Sequence, residues 1–385
     1  MNSNEKQPRF ALKIPRAVYI AICVLPAVLT ILFYILRPRP GAMEWAAVNI
    51  SAPVRGALGV ISSVYPFSLM EVVITVAIIW VIYYIVRTII VTRRRRGKLK
   101  ILGKRLLPFF VAVLYVWGIF CWLWNSGYHA PGFAVKNGLA GQGVAVGDLI
   151  AVTRLFAEHA NELAPGMDRD EDGRYIGNRR EMLSASTGIY RNIVQEFPGL
   201  GGRLNRPKPM LFSWLMSRTG YTGVYFALTG ESNINTRTPG FLMPATVAHE
   251  LAHQRGVFAE DEANFVGIAA CVTSGNAVYE YAGYLMGLMY LMGALISADY
   301  SAWAEISESL CYEVSFDWQE NYEYWESQKT FDTGVAFLDK ILTAMTRTVS
   351  DAVDSVYDGY LKSQNQELGL RSYGACVDLL VGYFA

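Results

Sequence analysis

Three stretches of about twenty apolar residues, 17–36, 72–91 and 106–125, limit what this chain can fold into more than any other feature. A bilayer core needs about 20 residues of helix to cross it. The first and third stretches carry no charge, and the second carries only Arg87. Lipid offers no water to satisfy backbone groups, so each stretch is expected as a helix. Trp117, Trp122 and Trp124 suit the aromatic belt of an interface. The first stretch is too long for the core of a cleaved leader and is read as a retained span.

Basic residues orient the spans. Lys6, Arg9, Lys13 and Arg16 precede the first, and Arg93 to Arg96, Lys98, Lys100, Lys104 and Arg105 crowd between the second and third. Positive charge in short loops marks the cytoplasmic side. The expectation is therefore a multi-pass plasma-membrane protein with a cytoplasmic N-terminus. A membrane unit, 1–125, precedes an extracytoplasmic unit, 126–385. Flanked by two spans, the Arg run is a topology signal, so the lipid bilayer is the expected partner and nucleic acid is not. Residues 44–63, which mix small and apolar residues with Glu44 and Arg55, suit an interfacial or re-entrant helix.

The later part reads as mostly helical, with amphipathic periodicity in 148–163, 178–196 and 334–362. A hairpin is expected from Gly223 to Leu228, a Thr229-Gly230 turn, and Ser232 to Thr236. The apolar run 278–297 is long enough for a fourth span, but Glu280 and its Tyr-rich composition favour a buried core helix. The fold class is thus mostly α: transmembrane helices, then a largely helical α+β domain with a small sheet. Five cysteines without CxxC spacing suggest buried thiols rather than a cysteine metal site. The acidic stretch Asp168 to Gly173 begins like a calcium loop, but Arg179 stands where the closing Glu is required, which leaves a solvated turn.

The chemistry is concentrated in His249-Glu250-Leu251-Ala252-His253. Residues four apart share a helix face, so two imidazoles can reach one metal while Glu250 points into the adjoining cleft. Pro244 is well placed near the start of that helix. Catalytic zinc takes three protein ligands and keeps one open position. In an unbroken helix neither Glu260 nor Glu262 would reach the metal, and Gly256 supplies the break. In the helix that follows, Glu262 shares a face with Phe265, Val266 and Ala269, where a carboxylate needs a partner. Glu262 is the expected third ligand and Glu260 the reserve. Tyr225, Asn233, Asn235 and Arg237 are candidate oxyanion stabilisers, and His129 and His159 are expected to lie away from the metal.

The stretch from Pro207, with Thr229-Gly-Glu, Asn233-x-Asn, Pro244, HELAHQ and Glu260-Asp-Glu-Ala-Asn-Phe, resembles domain-of-unknown-function family 3810, bacterial membrane proteins with a zincin-like HExxH domain. The likeness runs to the C-terminal SYGACVDLLVGYF. It implies a membrane-anchored zinc metallopeptidase acting on a peptide or protein at the cell envelope. The EANF stretch is also similar to the EAD element of gluzincin membrane proteases, which implies Glu262 as ligand. Asn264 stands where that element has Asp, and Arg255 where zincin signatures carry an apolar residue. The competing reading is a non-catalytic zinc-binding membrane protein that binds a cell-envelope partner. Structural zinc sites are usually closed and rich in Cys, and no Cys falls within this motif.

Overall fold

The computed structural model describes residues 16–94, 98–139, 144–364, 366 and 373–385. Helices Arg16–Leu36, Leu69–Arg94 and Lys98–Phe120 take up the three apolar stretches, and the last continues through a π-turn, Cys121–Asn125, to Tyr128. Leu69–Arg94 and Lys98–Tyr128 are long and apolar enough to cross a membrane, as is Ala277–Ala298. The first two expose most of their aliphatic side chains, as helices surrounded by lipid do. Polar groups and small residues join the bundle. Tyr115 donates to the Ile22 carbonyl at 2.8 Å and Trp122 to that of Leu29 at 3.0 Å, while Gly118 lets Thr30 approach.

Ala277–Ala298 is half buried inside the protein and packs on Val146–Leu163, Met243–Gln254 and Glu260–Val272. Tyr279, Tyr281, Leu285 and Leu288 are fully buried on it, and Phe156 fills the space over Gly287. These contacts make it the axis of the core. Helix Tyr373–Phe384 adds Cys376 and Leu380 to the same core. The five cysteines are free thiols.

Two helical expectations meet different outcomes. The 334–362 periodicity forms one helix, Ala336–Ser363, but 178–196 breaks into Arg179–Ala185, a 3-10 turn at Ser186–Gly188 and Ile193–Glu196. Ser186 donates its hydroxyl back to the Leu183 carbonyl, the local competition by which serine interrupts helices.

The sheet has three short strands, β1 (Lys208–Pro209), β2 (Gly223–Phe226) and β3 (Glu231–Ile234), in the order β1-β3-β2. β2 and β3 form the expected hairpin, with Phe226 opposite Glu231, and β1 runs parallel to β3. Buried Glu231 binds the sheet to the apolar helices. It accepts from the amides of Leu69 and Met70 and pairs with Lys208, which also donates to the carbonyls of Ser62 and Phe67. Helix Ala52–Ser62 therefore touches the sheet as well as the apolar helices. Pro40–Ala46, a π-turn and Ala52–Ser62 form a helical collar that touches β3.

Candidate metal centre

Helix Met243–Gln254 starts with Pro244 in its first turn, where a missing amide hydrogen costs nothing. It ends at Gly256, whose φ of +85° no β-carbon residue adopts comfortably. The turn there sends the chain back along the helix, and Glu260–Val272 packs against it. The break predicted at Gly256 is present.

That geometry gathers His249, His253 and Glu260, with one donor atom from each lying within 4.8 Å of the others. Glu260 Oε2 stands 3.3 Å from His249 Nε2 and 3.6 Å from His253 Nε2. Ligand atoms about 2.1 Å from a tetrahedral ion sit about 3.4 Å apart, and both distances from Glu260 lie close to that spacing. His253 Nδ1 bonds to the Val257 carbonyl at 2.8 Å, which places the proton on Nδ1 and leaves Nε2 facing Glu260.

The third carboxylate differs from the expectation. Glu262 lies elsewhere, its two oxygens accepting the amides of Phe133 and Ala134 at 2.8 Å each. It caps the short helix Phe133–Lys136. Two residues apart on a helix means about 200° of rotation, so only one of the pair can face the imidazoles. With Glu260 opening the helix, the first position faces them and the third faces the 133–136 turn.

Glu250 sits beside the triad, buried, with Oε2 lacking a hydrogen-bond partner among the described residues. It lies against β2, where a β-carbon on Gly223 would come within 2.6 Å of Oε1. Burial pushes its carboxyl above the usual range, and His249 and His253 oppose that only in part. Burial alone would also lower the His253 imidazole, yet Glu260, Glu250 and the Val257 carbonyl carry it up to about 9. Glu260 resists burial in the same way, held well below its ordinary value by the two imidazoles. Glu260 against the two imidazoles, with the Glu250 carboxylate within electrostatic reach of both, makes this a site that draws positive charge.

Several surrounding side chains had no sequence signal. Tyr357, from helix Ala336–Ser363, donates to the other Glu260 oxygen at 2.7 Å. Trp124 packs edge-on against His253, ring centroids 5.5 Å apart. Arg55 is buried beneath the site, donating to the His253 carbonyl at 3.1 Å and to Ser51 Oγ, with its guanidinium over the Phe258 ring. A lone Arg in the apolar 44–63 stretch was the one available hint of that role.

The remaining candidates lie away from the triad except Tyr225, whose backbone amide bonds to Glu250. Asn235 Nδ2 bonds to Ser217 and the Tyr221 carbonyl, Asn233 Nδ2 bonds within the hairpin, and Arg237 is exposed. Tyr225 meets Arg55 through its hydroxyl. His129 packs on Phe33, and His159 stacks on Tyr284 beside Glu162. Asp170 ties the acidic stretch into a local turn by accepting the amides of Asp172 and Arg174.

The family described as "Protein of unknown function (DUF3810)" matches residues 49–381, which take in helix Ala52–Ser62, the later apolar helices, the sheet and both helices of the triad. No curated protein and no solved structure matches the chain. With most of its length matched, this chain belongs to the DUF3810 family.

Proposed function

We propose that this protein is a membrane-anchored zinc-dependent peptidase whose metal is held by His249, His253 and Glu260, with Glu250 as general base. The observation that carries the reading is the pairing of the His249–His253–Glu260 donor set with a buried carboxylate beside it, Glu250, whose Oε2 has no partner among the described residues. A structural staple needs the first and has no use for the second, because an unsatisfied buried carboxylate oxygen is costly.

Bound zinc supplies Lewis acidity and a readily deprotonated water. The protein's own residues do the rest. Glu250 takes a proton from the attacking water and passes it to the leaving amine, and burial raises its affinity for that proton toward what a base working near neutral pH needs. The Val257 carbonyl orients His253, and Tyr357 holds the far oxygen of Glu260. β2 is an edge strand with Gly223 against Glu250, which suits an extended peptide added along the sheet. The basic loop between the second and third apolar helices supports a site outside the cytoplasm, where its substrates would be peptides and proteins of the cell envelope.

The test is metal analysis of the purified full-length protein together with Glu250→Gln. Near-stoichiometric zinc and loss of peptide cleavage with the metal retained are expected. Zinc-free protein, or cleavage unchanged in Glu250→Gln, overturns the reading.

A further inference from the structure

Two apolar surfaces outside the site are left exposed among the described residues. One is the turn at 211–215, where Leu211 is 81% exposed and Phe212, Trp214 and Leu215 are also exposed. The other is a stripe on helix Ala336–Ser363 made by Leu338, Ile341, Met345, Val349, Val353 and Val356. At 100° per residue these six lie within about 120° of arc, while Lys340, Arg347, Asp351, Asp354 and Asp358 lie on the opposite side.

Both surfaces are tied to the ends of the apolar helices. Glu71, in the first turn of Leu69–Arg94, accepts the amides of Leu211 and Phe212 at 2.9 and 2.7 Å. Val64, Tyr65 and Phe67, just before that helix, are exposed as well. The long helix is held at both ends. Its last turns meet the third apolar helix, where Tyr360 packs on Phe120 with centroids 6.0 Å apart and donates to Asn125. The segment before it is bound to helix Ser213–Arg218, since Arg218 donates to the Gln328 carbonyl and lies over the Phe331 ring. The exposed apolar side chains thus continue the lipid-facing surface of the bundle at the end from which Leu69 and Tyr128 emerge.

We infer that Leu211–Leu215 and the apolar stripe of helix Ala336–Ser363 lie in the headgroup–acyl boundary of the bilayer that the bundle crosses. A helix with one apolar and one charged face rests in that plane, and Trp214 suits the same depth. Because this helix carries Tyr357 onto Glu260, one wall of the metal centre is supported by lipid. The inference needs the chain to be membrane-embedded and does not depend on metal or catalysis.

The experiment places a photo-reactive benzoylphenylalanine at Leu211, Met345 or Asp351 of the full-length protein in phospholipid nanodiscs. Mass spectrometry then identifies what each position captures. Burying a Leu or Met side chain favours the apolar side about tenfold or more, so phospholipid adducts at 211 and 345 should exceed those at 351 by at least that factor. Lipid labelling at 211 and 345 no higher than at 351, or capture of a second protein chain at 345, overturns the inference. Since the readout is the adduct mass, failure of the peptidase reading leaves this result unaffected.

Discussion

Five inward-facing glutamates divide this molecule into two kinds of buried polar region. Glu71, Glu231 and Glu262 each spend both oxygens on backbone amides, those of Leu211 and Phe212, of Leu69 and Met70, and of Phe133 and Ala134. Glu260 instead meets His249 and His253, Glu250 lies under their electrostatic influence against Gly223, and one Glu250 oxygen has no partner among the described residues. The first kind is saturated and holds segments together across long stretches of chain. The second is organised around a charge that the surrounding side chains leave incompletely matched, which is the arrangement expected where a ligand or a proton completes the set.

Substitutions should separate the two kinds. The largest effect is expected for Glu250→Gln, which removes the proposed base and spares the donor set. Cleavage of a responsive peptide should fall about 10²–10⁴-fold, with thermal stability unchanged, read by turnover and melting of the same preparation. Equal loss of stability and turnover would move Glu250 into the saturated class.

Glu260→Ala should weaken zinc retention by more than about 100-fold, beyond the ~10–100-fold typical of an outer-shell change, whereas Glu262→Gln should stay under about tenfold. Chelator competition on both variants measures this. The reverse order would restore Glu262 as the metal carboxylate and break the comparison at its centre.

Glu231→Ala strands Lys208, which is also buried, and frees two amides. A loss of about 3–5 kcal/mol is expected, seen as a lower denaturant midpoint, with zinc per folded molecule unchanged. Glu262→Gln keeps one acceptor but sets an amide donor against a backbone amide, so a smaller loss of about 1–3 kcal/mol is expected in the same measurement. If either variant lost metal in proportion to stability, the two regions would be a single cooperative unit.

How far the molecule was legible depended on the range of the interactions. The apolar helices, the hairpin with its Gly230 turn and the break at Gly256 all follow from residues within a few positions of one another. The facing of His249 and His253 follows from one helical turn. The choice between Glu260 and Glu262 was not legible, because a burial argument correctly asks for a partner for Glu262 and cannot say that the partner is a pair of amides about 130 residues earlier. Tyr357 and Arg55 were hidden for the same reason. Each reaches the centre from a distant part of the chain, and local periodicity carries no trace of such contacts.

Local sequence by itself determined that the chain carries bilayer-length apolar helices and that two imidazoles and a glutamate share one short helix, because hydropathy and a 100° turn per residue act between neighbours. Only the tertiary structure decided which carboxylate meets those imidazoles and which distant side chains, Tyr357 and Arg55, surround them. Both are settled by competition among distant surfaces for the same face, and that competition is resolved only when the whole chain has packed.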